Sequence, residues 1–139
     1  MKDNNEIIRW HEIIQTILDK YLSYMSGKKI KESSREYKRY FEVDYYCEVE
    51  GELENKSNKN IVLPFDHLKT RNVIEYKSIH EVLNEKTFRH YSARALLVEV
   101  PDIRAQSHQG DVTLTIFTTR LPETLLATNN YKIEKINDW

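Results

Sequence analysis

The sequence predicts a mixed α/β protein in which one helix, a long strand and a strand–helix–strand crossover share a single sheet. Three observations predict it. Apolar residues recur at three- and four-residue steps between Ile7 and Met25, the period of an amphipathic helix. From Tyr40 to Leu53 they alternate, the period of a strand. Further on, the extended-looking runs 72–78 and 112–119 flank a helical stretch beginning near Asn84, and a helix between two strands favours a right-handed crossover with parallel pairing. With 139 residues the chain has material for one core, and no repeat or low-complexity linker divides it, so a single domain over 1–139 is expected.

In chain order, the first helix presents Ile7, Trp10, Ile14, Ile17, Tyr21 and Met25 as its apolar stripe, widened by Ile13, Leu18 and Leu22. Asp3 with Glu6 resembles a capping box, and Gly27 is a natural stop. Residues 28–39 are polar and basic and read as a loop with a short turn. In the long strand, Phe41, Val43, Tyr45, Cys47 and Val49 face one way, and Glu42, Asp44, Tyr46, Glu48 and Glu50 the other. The polar run 54–60 reads as a hairpin turn, after which Ile61, Val62 and Leu63 resume an extended path that Pro64 breaks. The second helix carries Phe88, Tyr91, Ala95 and Leu96, and its end at 96–100 is β-branched enough to be ambiguous. A polar connector covers 101–110, Pro122 suits the first turn of a short helix, and 131–136 alternates as a last strand.

Composition narrows the function. The net charge of −1 is not that of a protein that holds nucleic acid through overall charge. The charges are uneven, however. Lys28, Lys29, Lys31, Arg35, Lys38 and Arg39 precede an acidic run of Glu42, Asp44, Glu48, Glu50, Glu52 and Glu54. A phosphate-binding lip beside a metal site and a plain solvated surface both fit that pattern. No apolar run approaches the ~20 residues of a membrane span, and no signal-peptide stretch follows Met1. A cytoplasmic protein without a membrane partner is therefore expected. The single Cys47 excludes an internal disulfide and a multi-cysteine zinc site, and its place on the apolar strand face predicts a buried, inert thiol. The histidines lack metal-ligand spacing, no serine sits in a nucleophile elbow, and three glycines form no phosphate-cradling loop.

Residues two apart in a strand share a face, so Glu75 and Lys77 project together with Val73 from the strand 72–78, while Ile74 and Tyr76 face the other side. An acid and a base held together on a buried strand are costly unless they serve each other or a ligand. Asp44, on the polar face of the preceding strand, can converge with Glu75 on one divalent cation if the strands share a sheet. Two carboxylates, waters and a phosphate oxygen make a shell suited to Mg²⁺, and Lys77 would orient or help deprotonate a water. Glu-x-Lys occurs three times, at Glu36–Lys38, Glu54–Lys56 and Glu75–Lys77, but only the third follows an apolar strand core and precedes a crossover helix. The competing reading is an ion pair between Glu75 and Lys77, in which case Asp44 and Glu75 lie far apart.

The string Arg71-Asn72-Val73-Ile74-Glu75-Tyr76-Lys77-Ser78, followed by a helix with Phe88 and Tyr91, resembles the second half of the motif in PD-(D/E)xK nuclease-like proteins. Within that superfamily it resembles the small bacterial recombination-promoting nucleases and transposase-like members. The order of elements matches from roughly residue 6 to 136. The resemblance implies a restriction-endonuclease-like core, a mixed β-sheet flanked by helices, and Mg²⁺- or Mn²⁺-dependent phosphodiester cleavage of DNA. It implies Glu75 and Lys77 as the motif's acid and lysine, and Asp44 as the strand-borne metal ligand. Asp66, in Pro64-Phe65-Asp66-His67, is the alternative to Asp44, and Glu12 matches a second carboxylate that some members add. Residues Lys28, Lys29, Lys31, Arg35, Lys38 and Arg39 are the candidate DNA contacts. Because many nucleases of this fold pair up to cut both strands, a homodimer is expected by analogy. A non-catalytic relative that keeps the fold as a binding or assembly module is the alternative function.

Overall fold

A computed structural model describes residues 9–31, 33–37, 41–53, 65–99 and 112–136. The chain is α/β, with a mixed, open five-stranded sheet flanked by helices. Helix α1 (Trp10–Ser26) leads into β1 (Lys28–Ile30), β2 (Ser34–Tyr37) and the long β3 (Phe41–Glu52). After a 3₁₀ turn at Phe65–His67 come β4 (Arg71–Lys77), α2 (Glu85–Glu99), β5 (Val112–Thr118) and the short α3 (Glu123–Leu126). Strand β3 pairs with β1 and β2 along one edge and antiparallel with β4 along the other. β4 and β5 run parallel, Arg71 opposite Val112 through Lys77 opposite Thr118, which is the crossover pairing the sequence predicts.

Local chemistry fixes the element ends. Gly27 closes α1 with φ 66° and ψ 17°, a left-handed position that a residue with a Cβ disfavours. Asn84 opens α2 by accepting the Thr87 N–H at 2.9 Å, a side-chain cap. The ambiguous stretch after Leu96 stays helical to Glu99, because Val98 is wholly buried against Val43, Tyr46 and Val73. Arg71 donates to the Val98 carbonyl at 2.5 Å, placing a cation at the end of α2 where the helix carbonyls gather negative charge.

Both sheet faces are covered. On one, Leu18 and Leu22 of α1 pack with Tyr45, Cys47, Ile74, Phe65 and Leu68. On the other, Val73, Tyr46, Val43 and Val98 form a second cluster, which a third of Leu83, Tyr91 and Leu125 extends. Each fully buried aliphatic side chain here contributes about 2 kcal/mol of hydrophobic free energy.

Several expectations are corrected. Residues 28–39 are not a loop: β1 and β2 lie within them, because β3 offers an edge long enough for two short strands. The second face of β3 is not simply polar, since Tyr46 is buried beneath α2, and Val43 packs with it rather than with Tyr45 and Cys47. On α1, Leu18 and Leu22 carry the packing, with Ile14 and Met25 partly buried, while Trp10, Ile17 and Tyr21 are exposed. Leu96 is exposed, and the buried line of α2 is Tyr91, Ala95 and Val98. No strand forms at 131–136: Tyr131 turns inward onto Phe88, ring centroids 4.9 Å apart, and no ladder partner accompanies Ile133 or Ile136 among the described residues. The capping pair Asp3 and Glu6, the turn at 54–60, the run 61–63 and the connector 101–110 lie outside the described residues.

Candidate active site

The site forms where β3 and β4 stop pairing through their backbones. Their ladder runs from Glu48 opposite Arg71 to Tyr45 opposite Ile74. At its end, side chains take over the backbone partners. The Tyr76 N–H donates to Asp44 Oδ2 at 2.7 Å, and the Asp44 N–H donates to Glu75 Oε2 at 3.4 Å. The two carboxylates expected to converge do so, which removes the reading that sets Asp44 and Glu75 far apart. Lys77 pairs with Glu81 at 3.4 Å rather than with Glu75, so the two-residue spacing is not an ion pair.

Glu75 is 3% exposed, and its Oε1 has no hydrogen-bond partner. The nearest cation is Arg94 of α2, whose Nη1 lies 3.8 Å from that oxygen. Burial, and then repulsion from Asp44, push the Glu75 carboxyl up to about 7. Lys77 responds differently. Burial pulls its ammonium down, but the Tyr91 hydroxyl and the Glu81 carboxylate outweigh that and hold it above its ordinary value. Its Nζ also lies 5.1 Å from the centre of the Tyr91 ring. Lys77 is therefore a firm cation, suited to donate rather than to take a proton.

A cavity of about 420 Å³ opens over these groups, lined by Asp44, Glu75, Lys77, Glu81, Tyr91 and Arg94, and by Arg9, Trp10 and His11 from the start of α1. The strands supply the acids, α2 supplies Arg94 and Tyr91, and α1 supplies the outer wall. Tyr91 and Arg94 are three apart and so share one face of α2. That spacing is the only sequence signal that could have drawn Arg94 into the site.

The remaining candidates lie elsewhere. Asp66 is exposed in the 3₁₀ turn, its carbonyl accepting from Lys28 Nζ at 3.1 Å, and it does not line the cavity. Glu12 is exposed, held by Arg9 at 3.1 Å, and likewise does not line it. Lys29 pairs with Glu50 at 3.5 Å and Lys31 with Glu48 at 3.1 Å, so the basic segment answers the acidic strand beside it. Arg35 sits on β2, and Lys38 and Arg39 lie outside the described residues. Cys47 is buried as expected, and burial pushes its thiol up to about 12.

Asp44 and Glu75 fit a hard divalent cation, which two carboxylates and waters can hold, and Glu75 Oε1, which accepts no hydrogen bond, is the atom such an ion would satisfy. Among the described residues, no group of three or more His, Cys, Asp or Glu gathers to ligate a metal. No helix there is long and apolar enough to cross a membrane. No protein-family model matches this sequence, no curated protein matches it, and no solved structure matches it.

Proposed function

We propose that this chain is a metal-dependent nuclease with a PD-(D/E)xK, restriction-endonuclease-like core that hydrolyses phosphodiester bonds in DNA. One observation carries the reading: a buried carboxylate oxygen without a hydrogen bond, on Glu75, beside a second carboxylate, Asp44, in an open cavity. A buried carboxylate oxygen that accepts no hydrogen bond, beside a second acid, is disfavoured, and a ligand that needs both acids explains their retention. In this reading Asp44 and Glu75 hold Mg²⁺ or Mn²⁺. When bound, the ion supplies charge neutralisation at the scissile phosphate and an acidified water. Lys77, kept charged by Glu81 and Tyr91, donates to the water or to a phosphate oxygen and fixes its orientation. Arg94 and Arg9, on the cavity wall, contact the DNA backbone, whereas Lys29 and Lys31 do not line that cavity.

The test is cleavage of supercoiled plasmid with Mg²⁺ or Mn²⁺ by the wild type, Glu75→Gln and Lys77→Ala. Nicking by the wild type that both substitutions abolish supports the proposal. Cleavage that survives both, or none from folded protein with either metal, sinks it. A second reading, a non-catalytic module that keeps this fold for binding, is favoured by the presence of only two convergent carboxylates among the described residues. It expects neither cleavage nor any shift of Tm with Mg²⁺.

A further inference from the structure

Helix α1 carries more apolar surface than its own core uses. Its buried line is Leu18 and Leu22, flanked by Ile14 and Met25. Directly beside that line runs a second stripe of Trp10, Ile13, Ile17, Tyr21 and Tyr24, between 41% and 55% exposed. At 3.6 residues per turn the two together span about 180° of the helix, where one core-facing stripe needs roughly 100°. The other exposed apolar residues, such as Leu96 with Leu97, Ile79 and Leu121, make no line of comparable length on one element.

The second stripe is symmetric along the chain. Trp10 and Tyr24 lie equally far from Ile17, as do Ile13 and Tyr21. A two-fold interface needs this property, because every residue must meet its symmetry mate's partner. We propose that α1 is the interface of a homodimer in which two copies of the helix pack antiparallel, crossing at Ile17. Ile17 meets Ile17 of the second copy, Ile13 meets Tyr21, and Trp10 meets Tyr24.

Shape agrees with that arrangement. Packed helices diverge on either side of their crossing point. The smaller isoleucines stand at the centre, and the aromatic rings stand up to seven residues away, about 10 Å along the axis, where a wider gap must be filled. Aromatic side chains bury 150–250 Å² each when fully covered, so the three half-exposed rings together with the two half-exposed isoleucines offer at most on the order of 500 Å² per copy. The pair buries at most roughly 1,000 Å², the lower bound for a specific interface. The inference does not rest on the proposed nuclease activity, although Trp10 also lines the cavity.

Position 17 is the one that meets itself, which gives the test. Molar mass is measured by light scattering and sedimentation from about 5 to 100 μM for the wild type, Ile17→Glu and Ile17→Lys, with circular dichroism to establish folding. The wild type is expected to be a dimer. Either variant opposes two like charges at the crossing, which costs several kcal/mol and weakens association at least about 100-fold. Mixing the two variants is expected to restore the dimer, because glutamate then meets lysine. If Ile17→Glu does not fold, Ile17→Lys alone still tests the contact. A monomeric wild type, a dimer that persists in either single variant, or a mixture that stays monomeric overturns the proposal.

Discussion

The two ends of β3 handle charge in opposite ways. Toward its C-terminal end, Glu48 and Glu50 face solvent and meet Lys31 and Lys29 on the neighbouring chain segment and strand. Near its N-terminal end, Asp44 is brought against a second acid, Glu75, inside the protein, with the Arg94 guanidinium near contact but without a hydrogen bond to Oε1. The first arrangement is what an unselected charged surface relaxes to. The second works against stability, since two like charges share a desolvated space. One strand therefore carries both solvent-facing ion pairs and an acid pair in which Glu75 is buried with one oxygen accepting no hydrogen bond, and what separates the two is burial, not acid content.

The largest expected effect breaks the comparison at its costly end. Glu75→Gln should lower plasmid nicking by about 1,000-fold, the loss of several kcal/mol of transition-state stabilisation, while Glu48→Gln stays within about twofold. The same substitution should act on stability with the opposite sign. Folded Glu75 keeps its proton to a pH near 7, whereas the unfolded chain releases it near 4.5. More protons are bound when folded, so stability falls as pH rises through that window, by up to about 3 kcal/mol in metal-free protein. Denaturant melts of Glu75→Gln between pH 4 and 8 should lose that slope and be the more stable at pH 8. An unchanged slope would remove Glu75 as its source.

A smaller effect comes from the ligand. Mg²⁺ at a hundred times its Kd should raise wild-type stability by roughly 2–3 kcal/mol, about 10 °C in Tm, and should leave Glu75→Gln unmoved. Calorimetry with and without EDTA reads this directly. The smallest effect lies at the ordinary end. Lys31→Ala and Lys29→Ala should change stability by no more than about 0.5 kcal/mol, an amount that salt removes. A larger loss would mean that the two ends are less different than their burial implies.

Much of the site was legible because strand periodicity is strict. Asp44, Glu75 and Lys77 follow from alternation and from one antiparallel register, and the parallel pairing of β4 with β5 follows from the helix between them. What could not be read was partnership. Nothing local distinguishes the Lys77 that pairs with Glu81 from one that pairs with Glu75, since both acids lie within four residues. Arg94 was invisible for a similar reason: only the packing of α2 over the sheet brings it to Glu75. The strands within 28–39 were missed because a long neighbouring edge creates them, not their own residues. On α1, two adjacent apolar stripes gave the helix with certainty but not the face that turns inward, and 131–136 shows the reverse failure, an alternating pattern without an edge to join.

The carboxylates of Asp44 and Glu75 also replace backbone carbonyls as acceptors at the open end of the β3–β4 ladder. An ion that draws those oxygens toward itself competes with the Tyr76 and Asp44 amides for the same lone pairs. Occupancy by such an ion would couple to sheet closure through two named protons. In an NMR spectrum these two amides are natural reporters: ligand arrival should shift their resonances first and alter their rate of exchange with deuterium, while the amides of Tyr46 and Val73, deep in the paired stretch, stay protected.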